Sequence, residues 1–126
     1  MNFEADSIHT TITNVHGCLV ANIQADLTEE VLTELRRNLL GRIEQSHVRG
    51  VVLDFSGLTV MDQTEFFAVK KLVQMVELLG PPCVVAGFNA GIVSYLVTTG
   101  ADTRGLCSLL GLDEALEWLA VQWKNA

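Results

Sequence analysis

The stretch from Gly50 to Asp62, GVVLDFSGLTVMD, contains the transitions that decide the fold of the chain. Its first part, Gly50 to Phe55, is a nearly continuous apolar run, β-branched at its start, as is typical of a buried central strand in a parallel sheet. Ser56 to Val60 follows as a short loop. Asp62 is a favoured N-cap residue and precedes a helical pattern that continues to about Leu79, where a Gly-Pro-Pro sequence ends it. The stretch therefore predicts a buried strand, a loop and a long helix.

The segments on either side continue the alternation of strands and helices. Further strands are predicted at Ile8 to Thr13, Cys18 to Gln24 and Cys83 to Gly87, with a weak strand or turn at Leu106 to Leu109. Further helices are predicted at about Thr28 to Ser46, from Asn89 or Ala90 to about Thr98, and at Leu112 to Trp123. This order predicts an α/β fold, a mixed, mostly parallel β-sheet of four to five strands flanked by about four helices. The length of 126 residues fits a single domain, 1–126.

Two details of the helices follow from local patterns. Asp26 is followed three residues later by Glu29, the capping-box spacing in its Asp form, and Thr28 is a rival cap for the same helix. In the last helix, Leu116, Leu119 and Trp123 recur at a spacing that predicts packing toward the core.

The composition narrows the classes of partner. Hydrophobic residues make up 49% of the chain, charged residues 18%, and the net charge is -7. Basic residues form no stripe, so binding to nucleic acid or to an anionic membrane surface is disfavoured. The uncharged run from Leu78 to Ala101 is long enough to span a bilayer, but its glycines and prolines divide it into short pieces. The high apolar content favours a homo- or hetero-oligomer. Because no leader sequence opens the chain, we expect a cytoplasmic protein.

The sequence contains no recognisable motif for catalysis, cofactor binding or metal binding. The histidines are not spaced as metal ligands are, and the three cysteines lie far apart in apolar surroundings that are typical of buried, reduced thiols. These residues are His9, His16 and His47, and Cys18, Cys83 and Cys107. We therefore predict no catalytic residue, no cofactor and no metal, and we do not expect an enzyme.

Two places nevertheless leave a chemical alternative open. Asp54 and Asp62, near the end of the central strand, could bind a metal ion or accept a phosphoryl group, although Asp62 also has a structural reason to be there as a helix cap. The turn from Gly87 to Gly91 could approach an anion at a helix start, or it could simply be a tight turn.

The central stretch resembles the signature of the STAS domain, the fold of anti-sigma factor antagonists. That signature is a hydrophobic strand, Asp-x-Ser-x-Val or a near variant, two further residues, a hydrophobe and Asp, and residues 51–62 follow it. The segment from Ile23 to Leu27 resembles a second loop of the family. The resemblance covers about residues 8–119, which is therefore the expected core of a single STAS domain. Within the family, residues 19–24 and 50–54 are most similar to the short, single-domain scaffold proteins of the bacterial stressosome.

This resemblance implies a binding protein that performs no chemistry. Family members bind a switch kinase or anti-sigma factor of the GHKL ATPase type, and the kinase phosphorylates a Ser or Thr at the start of the second helix. Scaffold members also assemble with paralogous STAS proteins. The partner-binding residues implied for this chain are Asp26, Asp54, Ser56, Asp62, Gln63, Thr64 and Glu65.

The chain departs from the family at the phosphoacceptor position. The acceptor normally follows the Asp that corresponds to Asp62, and here that position is Gln63. Three interpretations remain open. Thr64 has become the acceptor, or the surface is a permanent docking site without a switch, or Ser56 or Thr59 is the acceptor.

Two other functions also remain open. One is a monomeric anti-anti-sigma factor that binds an anti-sigma kinase. The other is a STAS domain that binds a nucleotide or small ligand at the turn from Gly87 to Gly91.

Overall fold

The computed structural model describes residues 10–124, and within them the elements alternate as the sequence predicts. The strands are β1 (Thr10–Val15), β2 (Cys18–Ile23), β3 (Gly50–Asp54), β4 (Cys83–Ala86) and β5 (Ser108–Leu109). The helices are α1 (Glu29–Gln45), α2 (Gln63–Leu78), α3 (Ala90–Thr98) and α4 (Leu112–Lys124).

The strands form one sheet in the order β1-β2-β3-β4-β5. β1 is antiparallel to β2, and every other neighbouring pair is parallel. The turn between β1 and β2 consists of His16 and Gly17, both with positive φ, 53° and 87°, as a two-residue hairpin turn of the primed type requires. The predicted α/β fold with a mostly parallel sheet is therefore confirmed.

Helices cover both faces of the sheet. Because successive side chains of a strand point to opposite faces, Leu19 and Ala21 of β2 belong to the larger core cluster, together with buried residues of α1, α2 and α3. Val20 belongs to a smaller cluster on the other face, where Ala115 and Leu119 of α4 pack against the sheet. Each buried strand is thus apolar on both sides, which explains the continuous apolar runs in the sequence.

Three predicted details differ from the structure. β1 continues to Val15, two residues beyond the predicted end at Thr13, because the hairpin turn pairs Val15 with Cys18; the predicted start at Ile8 lies outside the described residues. Thr28, not Asp26, caps α1, since its hydroxyl accepts a hydrogen bond from the backbone N–H of Val31 at 3.2 Å.

Trp123 does not pack toward the core. Its side chain is 46% exposed, and the Arg49 guanidinium lies 4.1 Å from the ring centroid. Leu119, one turn earlier, is buried against Gly50, so α4 leaves the sheet before its last turn. The prediction for Trp123 is therefore wrong.

Candidate partner-binding site

The loop between β3 and α2 has a fixed shape that begins at Asp54. The Asp54 side chain is only 6% exposed, and its Oδ1 accepts a hydrogen bond from the Ser56 backbone N–H at 3.0 Å. Two apolar side chains of the loop, Leu58 and Met61, are buried in the core. Ser56, before Leu58, and Thr59, between Leu58 and Met61, are exposed to solvent. Asp54 is therefore buried beneath the loop and helps to fix its shape, and its predicted role in partner binding stays a prediction.

Residues that follow β4 support the same loop. The Asn89 side-chain amide donates hydrogen bonds to the backbone carbonyls of Leu58 and Thr59 at 3.2 and 3.3 Å. Its Oδ1 accepts from the Ile92 backbone N–H at 2.8 Å and so caps α3. Gly87 has φ of 84°, and a Cβ there would lie 2.7 Å from the Ser56 backbone nitrogen. The loop and the start of α3 therefore form one packed unit.

The start of α2 is fixed by a reciprocal capping box. The Asp62 carboxylate accepts from the Glu65 backbone N–H at 2.7 Å, and the Glu65 carboxylate accepts from the Asp62 backbone N–H at 2.8 Å. This is the arrangement that satisfies two otherwise unpaired donors of a helix start. The predicted cap at Asp62 is confirmed, and Glu65 is a structural member of the cap.

Gln63 and Thr64 occupy the first two positions of α2 and differ in their contacts. The Gln63 side-chain amide donates a hydrogen bond to the Thr99 backbone carbonyl at 2.9 Å, which joins the start of α2 to the end of α3. The Thr64 side chain is exposed beside an open groove between α2 and the segment after α3. Gln63 thus has a structural partner, whereas Thr64 is accessible to another protein.

The groove beside Thr64 ends at a cluster of charges. Lys70 Nζ donates to the Asp102 backbone carbonyl at 2.6 Å, and Arg104 forms a 2.9 Å ion pair with the Asp102 carboxylate. The hydrogen bonds and charge of Arg104 hold the pKa of Asp102 well below its ordinary value. The groove that Thr64 lines is therefore also lined by a lysine, Lys70, and by an ionised carboxylate, Asp102.

The structure brings most of the predicted site residues to one edge of the sheet. Ser56, Asp62, Gln63 and Thr64 are exposed at the carboxyl ends of the parallel strands. Asp26 is also exposed, in the loop after β2, and residue 24 of that loop lies against Gly57. These residues form one accessible surface, which we call the helix-start surface.

Exposed apolar side chains on this surface were missed by the sequence analysis. Val60 is 68% exposed, Phe67 59% and Tyr95 46%. Val60 and Tyr95 line one groove beside Asp62, and Phe67 lines the groove beside Thr64. The helical period could have predicted the exposure of Phe67, because this residue lies outside the inward-facing stripe of α2. Val60 lies in a loop, where no periodic pattern predicts exposure.

Two chemical alternatives were left open by the sequence, an anion site at the turn from Gly87 to Gly91 and a metal or phosphoryl site at Asp54 and Asp62. The turn at residues 87–91 packs directly against Ser56 and Asp54, and Asn89 caps its helix start by accepting a hydrogen bond from the Ile92 backbone N–H, so the turn has a structural role. In residues 10–124, the structure contains no group of three or more His, Cys, Asp or Glu arranged to hold a metal ion. Over the same residues, every helix is too short or too polar to cross a membrane.

Comparisons with known proteins agree with this fold. The sequence model of the STAS domain matches residues 9–120. A sequence search of curated proteins gave no match. Among solved structures, a Ser-to-Glu variant of RsbS from Moorella thermoacetica is 27% identical, with a TM-score of 0.77, and the match covers 91% of this chain and 97% of that one.

Two further structures are informative. A chain from the molecular architecture of the stressosome, described as a signal integration and transduction hub, is 28% identical, with a TM-score of 0.75 and coverage of 88% and 96%. The anti-sigma factor antagonist SpoIIAA in its unphosphorylated form is 14% identical, with a TM-score of 0.68 and coverage of 89% and 96%, and shows likeness of fold alone. The chain therefore belongs to the STAS domain family, with the fold of RsbS-like proteins and anti-sigma factor antagonists.

Proposed function

We propose that the chain is a non-enzymatic, cytoplasmic scaffold protein of the RsbS type. It binds a switch serine/threonine kinase of the GHKL type through the helix-start surface and assembles with paralogous STAS proteins in a stress-signalling complex. The similarity to RsbS and to a stressosome chain, over nearly the whole length of each, supports this choice over a monomeric anti-sigma factor antagonist.

The observation that carries the proposal is the exposed apolar surface around a rigid helix start. Val60, Phe67 and Tyr95 are large exposed side chains in the two grooves beside the start of α2, and burying such side chains contributes about 1.5–3 kcal/mol each. Aromatic residues at the centre of an interface commonly provide most of its binding energy. The surface therefore has both the apolar area and the polar rim of a protein-binding site.

The rigidity of the surface favours binding further. The capping box and the hydrogen bond from Gln63 to Thr99 fix the start of α2 before a partner arrives. A surface that is already ordered loses less conformational entropy on association.

Regulation of this surface is proposed to act through Thr64. Phosphate on a threonine adds about -1.5 to -2 charges at neutral pH. At the second position of a helix, that charge faces unpaired backbone N–H groups and the positive end of the helix dipole, so α2 tolerates it. The added charge changes what the neighbouring apolar side chains can bind, since a partner must then desolvate a phosphate. The switch thus alters the partner and leaves the fold intact.

The proposal is tested by incubating the purified chain with the GHKL-type switch kinase of its source organism and ATP. Intact mass spectrometry is expected to show one added phosphate, which is lost in Thr64→Ala and retained in Ser56→Ala and Thr59→Ala. Retention of the phosphate in Thr64→Ala would exclude Thr64 as the acceptor. If the kinase binds the chain but adds no phosphate, the surface is a permanent docking site, and Gln63 stands where the family has its phosphoacceptor.

A further inference from the structure

A small groove lies between α1 and α2, and its volume is about 90 Å³. Pockets for cofactors and drug-sized ligands usually have volumes of about 300–1,000 Å³, so this groove is too small for such a ligand and suits a single side chain of a partner. We call the groove the basic seam, and it is lined by Leu32, Arg36, Ala68, Lys71, Leu72 and Met75.

The two cations of the basic seam come from different helices and have no acidic partner. Arg36 belongs to α1 and Lys71 to α2, and both are exposed. Within residues 10–124, neither of them forms a salt bridge. No Asp or Glu of the described residues lines the seam. The seam is therefore locally positive, although the whole chain has a net charge of -7.

The neighbouring positions within each helix also lack acids. Side chains three and four residues apart are neighbours on a helix, and an acid at that spacing commonly pairs with Lys or Arg. These positions hold Leu32, Thr33, Leu39 and Leu40 around Arg36, and Phe67, Ala68, Gln74 and Met75 around Lys71. The next arginine, Arg37, differs, because it lines another groove together with Glu29, Glu30 and Glu34. Arg36 and Lys71 are therefore two cations that an acidic chain leaves without an intrahelical partner.

The rest of the seam is apolar. Leu72 is buried, Leu32 is half-buried and Met75 is 36% exposed. Met side chains are flexible and adapt to the shape of a bound partner. Lys71 Nζ lies 4.9 Å from the centroid of the Phe67 ring, which attracts the ammonium group and keeps its charge beside the seam. An apolar groove between unpaired cations is complementary to an apolar side chain between carboxylates.

We propose that the basic seam binds an acidic amphipathic helix of another protein. One apolar side chain of that helix enters the seam, and carboxylates three or four residues before and after it pair with Arg36 and Lys71. Two cations are too few for an anionic membrane, whose recognition commonly uses clusters of about 4–8 Lys and Arg. This binding goes beyond the proposed function and does not require the kinase, since the seam shares no lining residue with the two grooves of the helix-start surface.

The test measures binding of a synthetic, fluorescently labelled peptide to the full chain by fluorescence anisotropy. The peptide consists of Leu, Ala and Glu in an amphipathic helical pattern, and a second peptide has the same composition in shuffled order. The double variant Arg36→Gln/Lys71→Gln removes both charges of the seam. Arg37→Gln/Lys124→Gln is the matched control, since it removes the same charge outside the seam. All four positions are exposed, so both variants are expected to fold, which circular dichroism and thermal melting check.

Docking of an acidic helix in the seam predicts a specific pattern. The unsubstituted chain and the control variant bind the amphipathic peptide saturably, and the seam variant binds it about tenfold more weakly, because two ion pairs are lost. The shuffled peptide binds the unsubstituted chain more weakly than the amphipathic one. Absence of saturable binding, equal affinity for the two peptides, or equal weakening in both double variants would each overturn the proposal. Binding of phosphatidylserine vesicles, or self-association seen by light scattering, that is lost only in the seam variant would assign the seam to a membrane or to a second copy, and would also overturn it.

Discussion

Gly87→Ala is expected to destabilise the chain through the loop that supports the helix-start surface. Gly87 has φ of 84°, a left-handed conformation that costs a residue with a Cβ about 1–2 kcal/mol. The new Cβ would also lie 2.7 Å from the Ser56 backbone nitrogen and 2.9 Å from Asp54 Oδ1. Backbone atoms in a packed unit cannot move away easily, and overpacking of this kind costs about 1–3 kcal/mol. The free energy of unfolding should therefore fall by about 2–5 kcal/mol.

Gly100→Ala is the matched control. Gly100 has φ of 79°, nearly the same as Gly87, but no atom lies within 4 Å of its added Cβ. Only the conformational cost should appear, about 1–2 kcal/mol. Urea denaturation of both variants measures the difference, which isolates the close approach of Gly87 to the loop. Equal losses in the two variants would refute the claim that the loop and the turn after β4 are packed together.

Three further predictions follow from the capping, burial and charge of other residues. Asp62→Ala should lower the free energy of unfolding by about 1 kcal/mol, and Asp62→Ser should restore most of it; equal stability of the two variants would argue against the capping box. In the folded chain, a thiol reagent should modify the partly buried Cys107 before Cys83, whose burial raises its thiol pKa, whereas urea should make both react at similar rates. Because Arg104 lowers the pKa of Asp102, the ionised Asp102 stabilises the folded chain above the ordinary carboxyl pKa, and this stabilisation is lost as pH falls toward the folded value. Between about pH 5 and pH 3, the melting temperature of Asp102→Asn should therefore fall less than that of the unsubstituted chain.

The order of elements could be predicted because each one depends on local patterns. The continuous apolar run of β3 and the cap at Asp62 depend only on neighbouring residues, and the structure has both at the predicted positions. The cap of α1 was harder, because Asp26 and Thr28 are both good caps, and the choice depends on where the first turn begins. Only the structure shows that α1 begins at Glu29.

The contacts that shape the site depend on tertiary packing and could not be predicted. The hydrogen bond from Gln63 to Thr99 joins residues 36 positions apart, and those from Asn89 to the loop after β3 join residues about 30 apart. Asp54 could be placed at the end of β3 from the sequence, but its burial and its hydrogen bond from the Ser56 backbone N–H depend on the path of the following loop. Trp123 followed the helical period, yet α4 extends beyond the edge of the sheet it packs on.

Phe67→Glu is the best variant for testing the helix-start surface. Phe67 is exposed, with Lys71 Nζ 4.9 Å from its ring centroid, one helical turn away. Glu at that position can pair with Lys71, so α2 should remain stable while the surface loses an apolar side chain and gains a negative charge. A loss of binding in this variant therefore reports on the surface rather than on folding.

The central claim is that the helix-start surface binds a switch kinase. The most direct measurement is calorimetric titration of the purified GHKL-type kinase of the source organism into the unsubstituted chain, Phe67→Glu and the control Thr13→Glu. The control adds the same charge at an exposed position in the middle of β1. We predict saturable binding to the unsubstituted chain and to Thr13→Glu, and loss of binding to Phe67→Glu. Absence of binding to the unsubstituted chain, or equal binding to all three proteins, would contradict the claim.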